Sequence, residues 1–90
     1  MKVVTKKNAI QPGDRVLVLG LGVSGRSSAN FCAEQGARVV AADERPADEL
    51  EGLDSLDPRV EIEAGGNFPS GGDHDWIVPS PGIPPERYRA

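Results

Sequence analysis

One cysteine and one histidine are all that this 90-residue chain carries of the soft metal-binding residues. Cys32 has no partner for an internal disulfide, and His74 alone makes no cluster for zinc or iron–sulfur chemistry, so no metal site and no redox role are expected. Aromatic residues are scarce, with one Trp, one Tyr and two Phe. The core must therefore come from Val, Ile, Leu and Ala, in a domain that buries only about 60–65% of its unfolded surface. Long apolar runs are missing. Residues 1–10 hold three lysines, but no stretch of the length of a signal peptide or membrane span follows, which points to a cytoplasmic chain without membrane contact. No Gly-x-x-x-x-Gly-Lys-[Ser/Thr] occurs, so the chain carries no ATP phosphate cradle of that type. A basic excess is lacking too. The net charge is −4, and residues 41–75 hold eleven acidic groups against two basic ones, which excludes a nucleic-acid surface.

What remains is one small globular domain, because the apolar residues and 11 glycines together make up about half the chain. Residues 1–15 read as a polar leader ending in the turn Gln11-Pro12-Gly13-Asp14, with the fold expected to begin at residue 16 and to run to 90. Val16-Leu17-Val18-Leu19 is an apolar run short enough for a strand covered on both faces. A helix is expected from the following glycine turn to about Gln35, closed by Gly36, with Gly25, Ser28, Ala29, Cys32 and Gly36 on one small-residue stripe. Cys32 is then a packing residue. Arg38 to Asp43 is a second strand, parallel to the first across a helical crossover. Leu50, Leu53 and Leu56 suggest a short surface helix weakened by Gly52, and Val60 to Ala64 alternates as an edge strand does. A loop containing Gly65-Gly66, Pro69 and Gly71-Gly72 leads to a fourth strand, Trp76-Ile77-Val78. These elements form the first portion of a doubly wound, Rossmann-like α/β fold, an open parallel sheet in which the expected strands lie in the order 3-2-1-4. The outer edge of the fourth strand is expected to be bare and to promote self-association.

The chemistry sits at the carboxyl ends of those strands. Gly20-Leu21-Gly22-Val23-Ser24-Gly25 lies between strand and helix, the context in which such a turn binds a pyrophosphate. Gly20 permits the tight turn, Gly22 lets a phosphate approach the backbone, and Gly25 permits close packing; the N–H groups of Val23, Ser24 and Gly25 face the anion, and Ser24 can cap or donate. Asp43, 18 residues after Gly25, marks the nucleoside end, with Glu44 and Arg45 in its loop. Ser80-Pro81-Gly82 ends the fourth strand beside the glycine turn. His74 is assigned no role. On residues alone, a nicotinamide dinucleotide would fit as well as another nucleotide, so an NAD(P)-binding half of an oxidoreductase and a free-standing nucleotide-binding module both stay open.

Val-Leu-Gly-Leu-Gly-Val-Ser-Gly at 18–25, Ala-Asp-Glu-Arg-Pro at 42–46 and Val-Pro-Ser-Pro-Gly-Ile-Pro at 78–84 together resemble the N-terminal domain of the Mur ligases over residues 16–85. The Ser-Pro-Gly-Ile element is most similar to the member that adds D-glutamate to UDP-N-acetylmuramoyl-L-alanine through an acyl phosphate. The resemblance implies a domain that holds the UDP part of that substrate, with ATP and Mg2+ used by further ligase domains in cis and no cofactor or catalytic residue in this chain. It implies that Val23 and Ser24 face the pyrophosphate, Asp43 and Glu44 the uracil region with Arg45 beside them, and Ser80, Pro81 and Gly82 the opposite wall. Glu44 stands where the family often has a small hydroxyl residue. By this resemblance the chain reads as a truncated N-terminal fragment, inactive as a ligase on its own.

Overall fold

In the computed structural model, residues 2–3, 10–69, 73–84 and 86 are described. Gly71-Gly72, Pro85 and Tyr88, together with Val4 and Ala9 of the expected leader, lie outside them. Four strands occupy the expected places: β2 (Arg15–Leu19), β3 (Arg38–Asp43), β4 (Glu61–Ala64) and β5 (Trp76–Pro79). A fifth, β1 (Lys2–Val3), precedes them, and the sheet runs β1-β5-β2-β3-β4 with every pairing parallel. The 3-2-1-4 order of the four expected strands is thus present. Two expectations are corrected by β1. The segment read as leader contributes a strand to the sheet and, through Ile10, a buried residue to the core. The outer edge of β5 is paired, Lys2 with Trp76 and Val3 with Ile77, so the bare, self-associating edge expected there is covered along those residues.

The one α-helix among the described residues, α1 (Val23–Glu34), packs on one face of the sheet. Its buried residues are Gly25, Ser28, Ala29, Cys32 and Ala33, so the small-residue stripe is real but ends at Ala33, not Gly36. Gly36 is exposed and has φ +87°; its N–H bonds to Ala33 O while the Ala37 N–H bonds to Cys32 O, the paired closure that a left-handed glycine allows. Cys32 lies among Val16, Val18, Ala29 and Ala41 in the core under α1. Parallel strands bury their central residues on both faces, and here Val16 to Leu19 are all fully buried.

Among the described residues, no helix covers the opposite face. There Leu17, Leu19, Ala42 and Ile77 are roofed by Phe68 and Ile83, which come from the connections before and after β5. The surface helix expected over Leu50 to Leu56 is replaced by two 3-10 turns, Ala47–Glu49 and Leu53–Ser55. Gly52 sits between them at φ +76°, a left-handed conformation that breaks helical continuity, although Leu56 still reaches the core. β4 is the edge strand, and its Glu61, Ile62 and Glu63 are exposed.

Candidate functional site

The carboxyl ends of β2, β3 and β5 open into a cleft of about 530 Å³. The glycine turn forms its floor. The Gly20 N–H donates to Ala42 O at 2.7 Å, and φ is +92°, so only glycine sits there without strain. A side chain at Gly20 would also come within 2.7 Å of Ser80 Oγ, which donates to the Gly20 carbonyl at 3.3 Å. A Cβ on Gly25 would overlap the Gly20 carbonyl oxygen, so Gly25 lets the turn fold back onto the first turn of α1. Gly22 differs from both. Its φ is −74°, which any residue adopts, and a Cβ there would meet no atom of the described residues within 4 Å.

Gly22 is the N-cap of α1, with no side-chain cap bond, so Ser24 does not cap the helix. The N–H groups of Gly22, Val23, Ser24 and Gly25 precede the first residue able to find an acceptor within the helix, Arg26, which bonds to Gly22 O. Residues 22–24 are exposed, Val23 to 76%. These donors lie at the positive end of the helix dipole. The peptide before Gly22 is held from behind, because Arg26 Nη1 donates to Leu21 O at 3.2 Å and to Glu51 O at 2.7 Å. In a trans peptide this turns the Gly22 N–H to the opposite side.

Asp43 closes the far side. It is buried, at 6% exposure, and is bonded by four donors: Leu21 N–H and Arg45 Nη2 to Oδ2, Arg45 N–H and Nε to Oδ1, all at 2.8–3.0 Å. Burial alone raises its pKa. The Arg45 guanidinium and the Leu21 and Arg45 N–H groups outweigh that and lower it from 3.8 to about 2. With its acceptor positions occupied, Asp43 anchors the glycine turn and aims Arg45, and a ligand donor reaches it by displacing a contact of the half-exposed Arg45 side chain. Glu44 lies half-buried in the same loop. Ser80 is tied to β2 by its N–H to Leu19 O at 2.9 Å, and Pro81-Gly82 forms a tight turn closed by Ile83 N–H to Ser80 O, with Gly82 at φ +93°.

The fold therefore brings Gly20, Gly22, Val23, Ser24, Asp43, Glu44, Arg45, Ser80 and Pro81 to one cleft. Gly25 lies behind it as a packing position, and Gly82 does not line it. Phe68 and Ile83 do, and sequence reasoning missed both. The signal for them was an isolated large apolar residue within a glycine- and proline-rich connection, which has no periodic pattern to reveal its direction.

A family model described as Mur ligase MurD-like, N-terminal domain, matches residues 14–89. The chain belongs to this family. Among curated proteins, the chain is 42% identical over 72 residues to a UDP-N-acetylmuramoylalanine–D-glutamate ligase of Solibacter usitatus (strain Ellin6076), covering 80% of this chain and 16% of that protein. The ligase of the same name from Koribacter versatilis (strain Ellin345) is 43% identical over 75 residues, covering 80% and 17%. That from Geobacillus kaustophilus (strain HTA426) is 40% identical over 73, covering 78% and 16%. The chain spans about a sixth of the length of these relatives. No solved structure matches it significantly. The MurD-like domain match takes in the glycine turn, the Asp43 loop and the Ser80-Pro81-Gly82 turn together, and it does not favour the oxidoreductase alternative.

Proposed function

We propose that this MurD-like domain binds the UDP portion of UDP-N-acetylmuramoyl-L-alanine in an ATP-dependent ligase that adds D-glutamate to it during peptidoglycan synthesis in the cytoplasm. The observation that carries the nucleotide part is Gly22. Gly20 and Gly25 are explained by strain and close approach within the chain, whereas the missing side chain of Gly22 answers to no atom of the described residues. A pyrophosphate lying over the N–H groups of residues 22–25 accounts for it. Arg45, held against Asp43 at the other end of the cleft, and the half-buried Glu44 that lines it suit the nucleoside, since a carboxylate accepts from hydroxyl and ring N–H donors and repels phosphate. The ligase part rests on the family and on what its relatives are named for.

ATP and Mg2+ belong, in this proposal, to other domains of the longer enzyme. The glycine turn contains no lysine of the kind that a loop cradling ATP phosphates supplies. Among the described residues, no helix is long and apolar enough to cross a membrane. Saturation-transfer NMR of the purified chain with UDP and with NADH tests the reading: transfer to the uracil and ribose protons of UDP and none to NADH is expected. Transfer to NADH alone would overturn it.

A further inference from the structure

A second cleft, of about 460 Å³, opens at the amino ends of the strands, away from the glycine turn. Arg15 begins β2 and Arg38 begins β3, and the two are register partners, so their side chains leave the sheet on the same face. That face is the one without a helix, because Arg15 alternates with Leu17 and Leu19, and Arg38 with Val40 and Ala42. Like charges placed side by side repel, and no carboxylate among the described residues pairs with either guanidinium. His74 lines the same cleft, held there by its neighbour Asp75, whose N–H and Oδ2 bond the backbone of Arg15 at 2.8 Å. The His74 Nδ1 atom is buried with no hydrogen-bond partner among the described residues. Unpaired buried nitrogens are uncommon and costly.

Arg59 supplies the third guanidinium, and its setting repeats that of Arg45. In Asp43-Glu44-Arg45 and in Asp57-Pro58-Arg59, the arginine N–H and Nε donate to Oδ1 of the aspartate two residues earlier, and Nη2 donates to Oδ2. The distances match to within 0.2 Å, at 2.9, 3.0 and 2.9 Å against 2.9, 3.0 and 2.7 Å. Each clamp fixes one edge of a guanidinium and leaves Nη1 to donate elsewhere. One clamp lines each cleft. In a chain of net charge −4, the second cleft is lined by three arginines and the Glu61 carboxylate, with Arg59 alone of the three paired to an aspartate, Asp57, among the described residues.

We propose that this cleft is a second, oxyanion-binding site for a phosphate-bearing small molecule, with Arg15, Arg38 and the clamped Arg59 on the phosphate and the Val40 side as its apolar wall. Planar guanidiniums that can donate in pairs suit a tetrahedral oxyanion, and the volume is that of a small-molecule site. The proposal does not depend on UDP binding in the first cleft. Its test is a titration of the isotope-labelled chain with inorganic phosphate and, separately, with phenyl phosphate, following the arginine Nε–H, His74 ring and Val40 methyl signals. Saturable shifts at Arg15, Arg38 and His74 are expected with both probes. A free oxyanion moves only the polar signals, whereas an ester moves the Val40 methyls as well. Arg15→Gln combined with Arg38→Gln should weaken this binding about tenfold or more, with amide dispersion unchanged. The single variants decide if the pair does not fold. Gly22→Val should leave these shifts in place. Shifts confined to residues 22–25, shifts that do not saturate, or an affinity unaltered by the arginine changes would overturn the site.

Discussion

Gly22 and Gly25 stand three residues apart in one turn and should fail in opposite ways. Valine at Gly22 enters open space at a φ of −74°, so its folding cost is that of an aliphatic residue at a helix N-cap, about 1 kcal/mol. It occupies the place where a phosphate would meet the N–H groups of the first helical turn. Losing two charge-assisted hydrogen bonds there is worth about 3 kcal/mol, or roughly a hundredfold in affinity for UDP. Alanine at Gly25 instead drives a Cβ into the Gly20 carbonyl oxygen, a backbone atom already held by Ser80 Oγ. That overlap should cost about 3 kcal/mol, offset by up to about 1 kcal/mol from alanine's helix propensity. For a domain of this size the net is a large fraction of total stability, about 5–13 kcal/mol. Urea unfolding separates the stabilities, and titration with UDP separates the affinities. The reasoning is refuted if Gly22→Val binds UDP within about threefold of the unaltered chain, or if Gly25→Ala unfolds at the same urea concentration as the parent.

Asp43 has a lowered folded-state pKa, so its contribution is full above the unfolded value near 3.8 and is lost as pH falls through about 2. Urea unfolding from pH 6 to pH 2 should show about 2 kcal/mol of acid-labile stability that is absent in Asp43→Asn. Arg26→Ala removes the bonds to Leu21 O and Glu51 O and the guanidinium against which Gly52 packs. Amide exchange of residues 50–56 should quicken by about tenfold or more, read by deuterium labelling. Asp14→Ala removes the acceptor of Trp76 Nε1, at 2.8 Å, and of the Gln11 N–H, so the emission of the single tryptophan should shift and stability fall by about 1–2 kcal/mol. The purified chain should hydrolyse no ATP above a matched blank, because it lacks a phosphate loop with lysine.

Legibility followed the strength of the local pattern. β2 and β3 were readable because continuous apolar runs bounded by glycine have few other uses, and α1 because a glycine turn and a closing Gly36 bracket it. β1 was not, since a two-residue strand carries no periodicity and depends wholly on the neighbouring β5. Leu50, Leu53 and Leu56 kept a helical spacing, but Gly52 at positive φ decided the backbone. At the site, sequence spacing identified Asp43 as important without showing why. Its four acceptor positions are filled by Leu21 and Arg45, a tertiary fact that no spacing encodes. The paired Asp-x-Arg segments at 43–45 and 57–59 were visible in the sequence, but their equivalence shows only in the geometry of the two clamps.

The central claim is that the glycine turn holds a nucleoside diphosphate between α1 and the Asp43 loop. Amide chemical-shift mapping of the isotope-labelled chain with UDP tests it most directly. The account predicts saturable shifts at Gly22, Val23, Ser24 and Gly25 together with residues 43–45, and pyrophosphate alone should move only the first group. Saturable UDP shifts that leave residues 22–25 unmoved, or no saturable shifts at all, would contradict it.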